Sequence, residues 1–484
     1  GEDEWGEPIL PLRWQKGGNS EYGVPLQQKK GVISEGYTVE NIVQVTDNEY
    51  NEGVYAFSDG QTVYVLQDGN NELFLYDGSS TIQLTDSAIN EVLLGFHDGQ
   101  AIWGGGWAGG NATFYCYNGT EIIQITDDNY HSASYERFDN GQLVWHAVKN
   151  GRTQADIFFY NGTTTIQLTD NNVANEQPHI SNGQVAWYGS DDGTDAEIFL
   201  YDDASGTTTQ LTNNTYGDHG CDIHNGQVVW QTAIGSSLED NEIFLYDGTS
   251  TIQLTSNGIQ DGYPTINNGQ VAWIGYNGPS GPYDLYFYDG TTTTMLDTNI
   301  NPHSYKITDG LITWSTSSGQ FLSNGTVTGI IALPETPKID NGVAVWKAHD
   351  ENDYEIFSYD GTTITQLTDN DYDEASPSID NGKVVWAGYD GNDWELFLYD
   401  GSDTTQLTDN DYSDSNPMLS NDQLLWKQYD GTDYELMLGN LSYSDGDKKV
   451  TLLHTPPGNP DKAHVINVST NAVDAHLKHG DLIE

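Results

Sequence analysis

Apolar and polar positions repeat along this chain in one fixed order. Within one stretch, Pro377 to Ile379 reads as a short strand, Asn381-Gly382 as a turn, and Val384 to Trp386 as a second, alternating strand. Glu395 to Tyr399 gives a third strand, Asp400-Gly401 a tight hairpin turn that favours positive φ, and Thr404 to Thr408 a fourth strand of mostly β-forming residues. The same text, NGQVVW then EIFLYDG then TTTQLTDN, recurs with small changes along nearly the whole chain. Tyr64, Trp103, Trp145, Trp187, Trp230, Trp273, Trp314, Trp346, Trp386 and Trp426 hold one equivalent site, which marks ten units. Four antiparallel strands in about 40 residues is the text of a propeller blade.

A single blade cannot bury both faces, so neighbours must stack, and the repeated Trp with the Phe and Tyr of each third strand supply that interface as core. Ile42 to Asp47, in NIVQVTDN, matches a fourth strand but precedes any complete unit, whereas the last unit leaves the pattern after Tyr434 to Leu438. The early strand is therefore expected to complete the final blade and close the ring. The fold expected is an all-β propeller of ten four-stranded blades closed by an N-terminal strand; two five-bladed rings in tandem are the alternative. Their seam would fall near residue 255, where the text is an ordinary interblade loop, and the one defective unit is the seventh, around Trp314. The organisation expected is an extended N-terminal arm over 1–41, the propeller over 42–440, and a small histidine-containing module over 441–484.

The blade text, above all QLTDNDYDEASPSIDNGKVVW at 366–386, resembles the TolB-like propeller family, with its LT turn, Ser-Pro pair and following hairpin. The resemblance covers roughly 42–440 and implies a propeller used for binding or as a scaffold. Related propellers precede serine-peptidase domains, but the residues after Leu441 hold no G-x-S-x-G elbow with a hydrolase sheet behind it. The segment from His454 to Asp481, with PPGNP, an Ala-His pair and an HLxHGD ending, is similar to a short C-terminal module of secreted bacterial proteins. Leu453 stands where that module often has Cys.

Composition narrows the function classes. With 72 Asp+Glu against 16 Lys+Arg, the formal net charge is −56, which excludes a free nucleic-acid binder because phosphate neutralisation needs clustered cations. Aromatic residues at 12% exclude a disordered acidic tail. No apolar run reaches the ~18 residues of a membrane span. Such an excess of acid resists compaction unless cations neutralise it, which points to a secreted or cell-surface location in a salty or calcium-containing medium. Cys116 and Cys221 lie three repeats apart, so no bridge between them is expected.

Three constellations carry candidate chemistry. Between second and third strands lie Asp390-Gly-Asn-Asp393-Trp-Glu395, Asp430-Gly-Thr-Asp433-Tyr-Glu435, Asp350-Glu-Asn-Asp353-Tyr-Glu355 and Asp192-Gly-Thr-Asp195-Ala-Glu197. Hard oxygen ligands on a turn suit calcium, although the spacing lacks the Gly and terminal Glu of an EF-hand. A second acidic series, Asp369, Asp371, Asp373 and Glu374 with Asp409, Asp411 and Asp414, falls in interblade loops and is expected to line one rim as a negative funnel. At the C-terminal end, His454, His464, His476 and His479 with Asp481 form a candidate zinc or copper site, His476 and His479 sharing one face of a short helix capped by Thr470.

The function expected from these features is a secreted or surface-displayed, non-enzymatic propeller acting as a structural or adhesive subunit. It would self-associate through its terminal segments or bind another surface protein or glycan, with divalent cations in its acidic loops. The N-terminal segment, carrying Arg13, Lys16, Lys29 and Lys30 among Pro8, Pro11 and Pro25, suits strand addition to an acidic neighbour. A glycan-active propeller enzyme and a soluble protein- or ligand-binding propeller are the alternatives. An acid pair that breaks the repeat, as catalysis on a glycan would require, is not visible.

Overall fold

The computed structural model describes residues 36–444 except 67–71, 87–90, 106–111, 127–129, 191–194, 235–240, 277–281, 302 and 351, and beyond them 449–454, 464–469 and 482–483. Within these residues ten four-stranded antiparallel sheets follow one another along the chain. We number the blades 1 to 10 in the order of the ten marker aromatics. Blade 9 is typical, with strands Glu374–Asp380, Lys383–Tyr389, Trp394–Tyr399 and Thr404–Gln406.

Blade 10 takes Asp414–Ser420, Gln423–Tyr429 and Tyr434–Ser444 from the end of the ring, and its fourth strand, Gly36–Gln44, from the beginning. That strand pairs Val39 with Leu441 and Gln44 with Met437, and a bulge between Glu40 and Val43 absorbs the twist. The pairing completes the last blade with an N-terminal strand, as the repeat text required, but that strand is Gly36–Gln44 and starts six residues before the expected Ile42 to Asp47. The ring is single: Tyr64, Phe74 and Tyr76 of blade 1 pack with Leu425, Leu436 and Leu438 of blade 10. Near residue 255, Val229 and Ile243 of blade 5 pack with Val271 and Trp273 of blade 6, so two tandem rings are excluded.

Each pair of neighbouring blades shares one apolar cluster, and the marker indoles sit in these clusters. Trp386 stacks on Phe397 at 6.1 Å, Trp187 on Phe199 at 5.6 Å and Trp314 on Phe321 at 5.6 Å, each pair directly opposite in register. Such pairs add roughly 0.5–1.5 kcal/mol beyond the area they bury. Trp386 and its counterparts are core residues, buried to within a few per cent. Blade 7 keeps four strands despite its divergent text, with Gly319–Ser323 as its third strand and a one-turn 3-10 helix, Val327–Gly329, before its fourth. Cys116 and Cys221 are buried and unbridged.

The first strands of successive blades pack against one another around the ring and so form its inner wall. In most blades the first strand carries a bulge at its middle. Gln177, Tyr263, Ser376 and Asn416, each followed by Pro, adopt φ of 48°, 54°, 52° and 49° there. Left-handed backbone before proline is sterically costly for these residue types, and the bulge turns the side chain out of the ladder.

Past the ring, Lys449–His454 pairs with His464–Ser469 and with Leu482–Ile483 in a small three-stranded sheet. The expected helix from Thr470 and residues 1–35 of the N-terminal arm lie outside the described residues.

Candidate functional site: acidic seams between blades

Every typical blade ends its second hairpin with the acid that opens the third strand. In blade 9 this is Glu395, whose Oε1 accepts the backbone N–H of Asn410 at 2.7 Å. Asn410 lies in the loop leading to blade 10, and its side-chain Nδ2 donates to Asp414 Oδ2 at 2.9 Å. The same bridge links Glu355, Asn370 and Glu374 at 2.9 and 2.7 Å, and Glu435, Asn48 and Glu52 at 3.0 and 2.7 Å. Blades 4 and 5 repeat it through Glu197, Asn214 and Asp218 and through Glu242, Asn257 and Asp261. The repeat Leu-Thr-x-Asn places the Asn, and Thr408 Oγ1 anchors the turn by accepting the Leu396 N–H at 2.9 Å.

Glu355 and Glu395 are 0% exposed and Glu435 is 2% exposed, yet Oε2 of each has no hydrogen-bond partner. A buried carboxylate oxygen with no donor costs free energy on the order of 1–3 kcal/mol or more. Near these glutamates the structure gathers further acids: Asp350 and Asp369 with Glu355, Asp390 and Asp409 with Glu395, and Asp430 and Asp433 with Glu435. Within each trio one oxygen per residue lies within 4.8 Å of the others. The hairpin shapes the site from the other side. Asp390 Oδ1 accepts the N–H groups of Asn392 and Asp393 at 2.9 and 3.2 Å, and Asp430 Oδ1 those of Thr432 and Asp433 at 2.8 and 3.3 Å. Gly391 and Gly431, at φ 101° and 105°, supply the backbone those turns require.

Burial dominates the electrostatics. It pushes the Glu395 carboxyl up to about 8, with Asp414 and Asp393 adding repulsion, and it pushes Glu374 to about 8 and Glu52 to about 7. Glu435 and Glu197 shift upward for the same first reason. The acids of the third-to-fourth-strand turns behave oppositely. Asp247 accepts Thr249 and Ser250 N–H groups and the Thr249 hydroxyl, which hold it down at about 2. The turn acids are fully served by donors; Glu355, Glu395 and Glu435 have one at a single oxygen, and a divalent cation would supply the other.

Of the residues expected to bind calcium, Asp350 and Glu355, Asp390 and Glu395, and Asp430, Asp433 and Glu435 come together. Asp353 and Asp393 lie beside their trios without joining them; Asp353 is buried with Oδ1 unpartnered. In blade 4, Glu197 occupies its seam, whereas Asp192 lies outside the described residues and Asp195 joins no trio. Sequence reading kept Asp369 and Asp409 apart as rim acids; the fold brings them to the hairpin acids of the same blade. Their invariant step of 14 residues after Glu355 and Glu395 was the available signal. Glu374 and Asp414, expected on an open rim, are instead buried at 4% and 0%. They belong to the seam because the Asn bridge pulls them inward.

The backbones of His454 and His464 are paired in register in the C-terminal sheet. His476, His479 and Asp481 lie outside the described residues. No helix among the described residues is long and apolar enough to cross a membrane.

No family model matches the chain. No curated protein matches it either. Among solved structures it is similar to the propeller domain of the trilobed protease from Pyrococcus furiosus, at 10% identity and a TM-score of 0.30, covering 66% of this chain and 96% of that one. It is similar to the acylaminoacyl peptidase of Pyrococcus horikoshii, at 12% identity and a TM-score of 0.31, covering 61% of this chain and 57% of the peptidase. A putative TolB from Agrobacterium tumefaciens matches at 15% identity and a TM-score of 0.31, covering 45% of this chain and 84% of that one. These likenesses are to propeller folds, TolB-like ones among them. They correct the expectation of a non-enzymatic structural or adhesive subunit, because the matched propellers include those of a protease and a peptidase.

Proposed function

We propose that this chain is a calcium-binding β-propeller module, in which Ca²⁺ bridges the seams after the third strands of blades 8, 9 and 10 and fixes the ring as a rigid binding platform. One observation carries the reading. Glu355, Glu395 and Glu435 each spend one oxygen on a backbone N–H across the seam and bury the other unpartnered, and each carboxyl group clusters with two further acids. Calcium accepts six to eight oxygens with loose geometry and suits such a set better than magnesium, which demands a tight octahedron. The excess acid supports a location outside the cell, where sites with dissociation constants on the order of 10⁻⁴–10⁻³ M remain filled.

Thermal unfolding with and without a calcium chelator tests the reading. Calcium at about 100 times its dissociation constant should stabilise the ring by ~2.7 kcal/mol per independent site. A melting temperature indifferent to calcium and to chelator would reject it.

A further inference from the structure

The chain's scarce cations are not spread evenly over its acids. Arg152 pairs with Asp156 and Asp170, and Lys383 with Asp422. Lys338, Lys347 and Lys427 form no ion pair among the described residues, and all three line one cavity of about 660 Å³ on the inner wall. In a chain of net charge −56, three lysines lining one cavity with no ion pair among the described residues is a feature that ordinary charge pairing does not account for.

The cavity spans blades 8, 9, 10 and 1. The Lys427 ammonium donates to the Glu52 carbonyl, and the Lys347 ammonium lies 5.2 Å from the centre of the Tyr354 ring. Glu335, the one acid on the wall, already accepts the Lys347 backbone N–H at 3.1 Å. The bulge residues Ser376 and Asn416, held in left-handed backbone, meet there through a 2.8 Å hydrogen bond, and Tyr55 stands at the bulge of blade 1. Val54, Tyr55, Pro377, Pro417 and Met418 supply an apolar part of the wall, and Thr336 and Ser378 add polar atoms. Through Ser376, Asn416 and Lys427 it continues into a second cavity of about 500 Å³, bounded by Trp394 and Tyr434.

We infer that this cavity binds a small organic anion, a carboxylate carried on an apolar body, with Lys338 and Lys347 holding the charge and the Tyr55–Pro377–Pro417 wall holding the body. Its volume lies within the range of small-molecule sites, which are mostly apolar with few placed polar groups. A monoanion is favoured over phosphate esters because the field of the whole ring opposes each further negative charge. The inference stands on the inner wall alone and does not depend on calcium in the seams.

Fluorescence anisotropy with dansylglycine as the carboxylate probe and dansylglycinamide as its neutral twin tests it, in a calcium-containing buffer. The acid should bind saturably and at least about tenfold more tightly than the amide. Lys338→Gln/Lys347→Gln should abolish that preference, while Lys338→Gln alone, at an exposed position, should reduce it. The thermal unfolding of each variant should match the parent protein, which separates lost binding from lost folding. Equal binding of acid and amide, an unaltered preference in the double variant, or no saturable binding of the acid up to about 10 mM would overturn the inference.

Discussion

Glu395 and Asp414, on neighbouring blades, are joined by a single residue: Asn410 donates its backbone N–H to the first and its side-chain amide to the second. Both acids are 0% exposed. The seam is thus a pair of buried carboxyls linked by one amide, with Trp426 and Gln428 also donating to Asp414, and ionising both is costly unless something positive joins them.

Replacing Glu395 by Gln keeps the shape and removes the charge. Without calcium and at about pH 8.5, where Glu395 is ionised, Glu395→Gln should leave stability unchanged or raise it by about 1 kcal/mol, since a buried anion is relieved. With calcium it should lower stability relative to the parent protein, because one site is lost. Chemical denaturation in both conditions reads the change of sign.

The calcium-free protein should become less stable as pH rises from 5 to 8.5. Glu395, Glu374 and Glu52 are raised from 4.5 to about 8, about 8 and about 7, so the stability their protonated forms contribute is complete below about 4.5 and is lost as pH climbs through 7 to 8. The turn carboxylates act in the other sense but only at lower pH, as Asp247, lowered from 3.8 to about 2, illustrates. In saturating calcium the slope should flatten, since the cation holds the seam acids ionised and the unfolded carboxyls are themselves deprotonated above about pH 5.5. Melting temperatures across this pH range, with and without chelator, check both slopes.

The marker indoles should not be equivalent. Trp426 Nε1 donates to buried Asp414 at 2.9 Å, whereas Trp187 Nε1 is buried without a partner. Trp426→Phe strips a buried acid of a donor and should cost about 1–3 kcal/mol more than Trp187→Phe. Urea denaturation of the two variants gives the difference.

Ring closure rests on the strand Gly36–Gln44, where Val39 is 2% exposed among Leu419, Trp426 and Leu441. Val39→Asp should cost at least ~2 kcal/mol, because burying an unpaired polar group runs roughly 2–7 kcal/mol. Circular dichroism melts would show it, and an unchanged midpoint would detach the strand from the ring's stability.

The fold was legible because each blade repeats the same local instructions. Asn381-Gly382 and Asp400-Gly401 specify turns, and Trp386 opposite Phe397 specifies the buried face, ten times over with one lapse at blade 7. The seam was only half legible. The hairpin acids Asp390 and Glu395 could be grouped by spacing, but Asp409 joins them only after the fourth strand has folded back, and Asp414 enters from the next blade. The lysine cavity was not legible, since Lys347 and Lys427 share the position after the marker Trp on blades 8 and 10, but only the closed ring brings them, with Lys338 of blade 8, to one cavity.

The count of bound calcium tests the central claim most directly. Elemental analysis after dialysis against calcium-containing buffer should find three fewer ions per chain in Glu355→Gln/Glu395→Gln/Glu435→Gln than in the parent protein, one for each trio. Equal calcium in the two proteins, or none in either, would contradict the account.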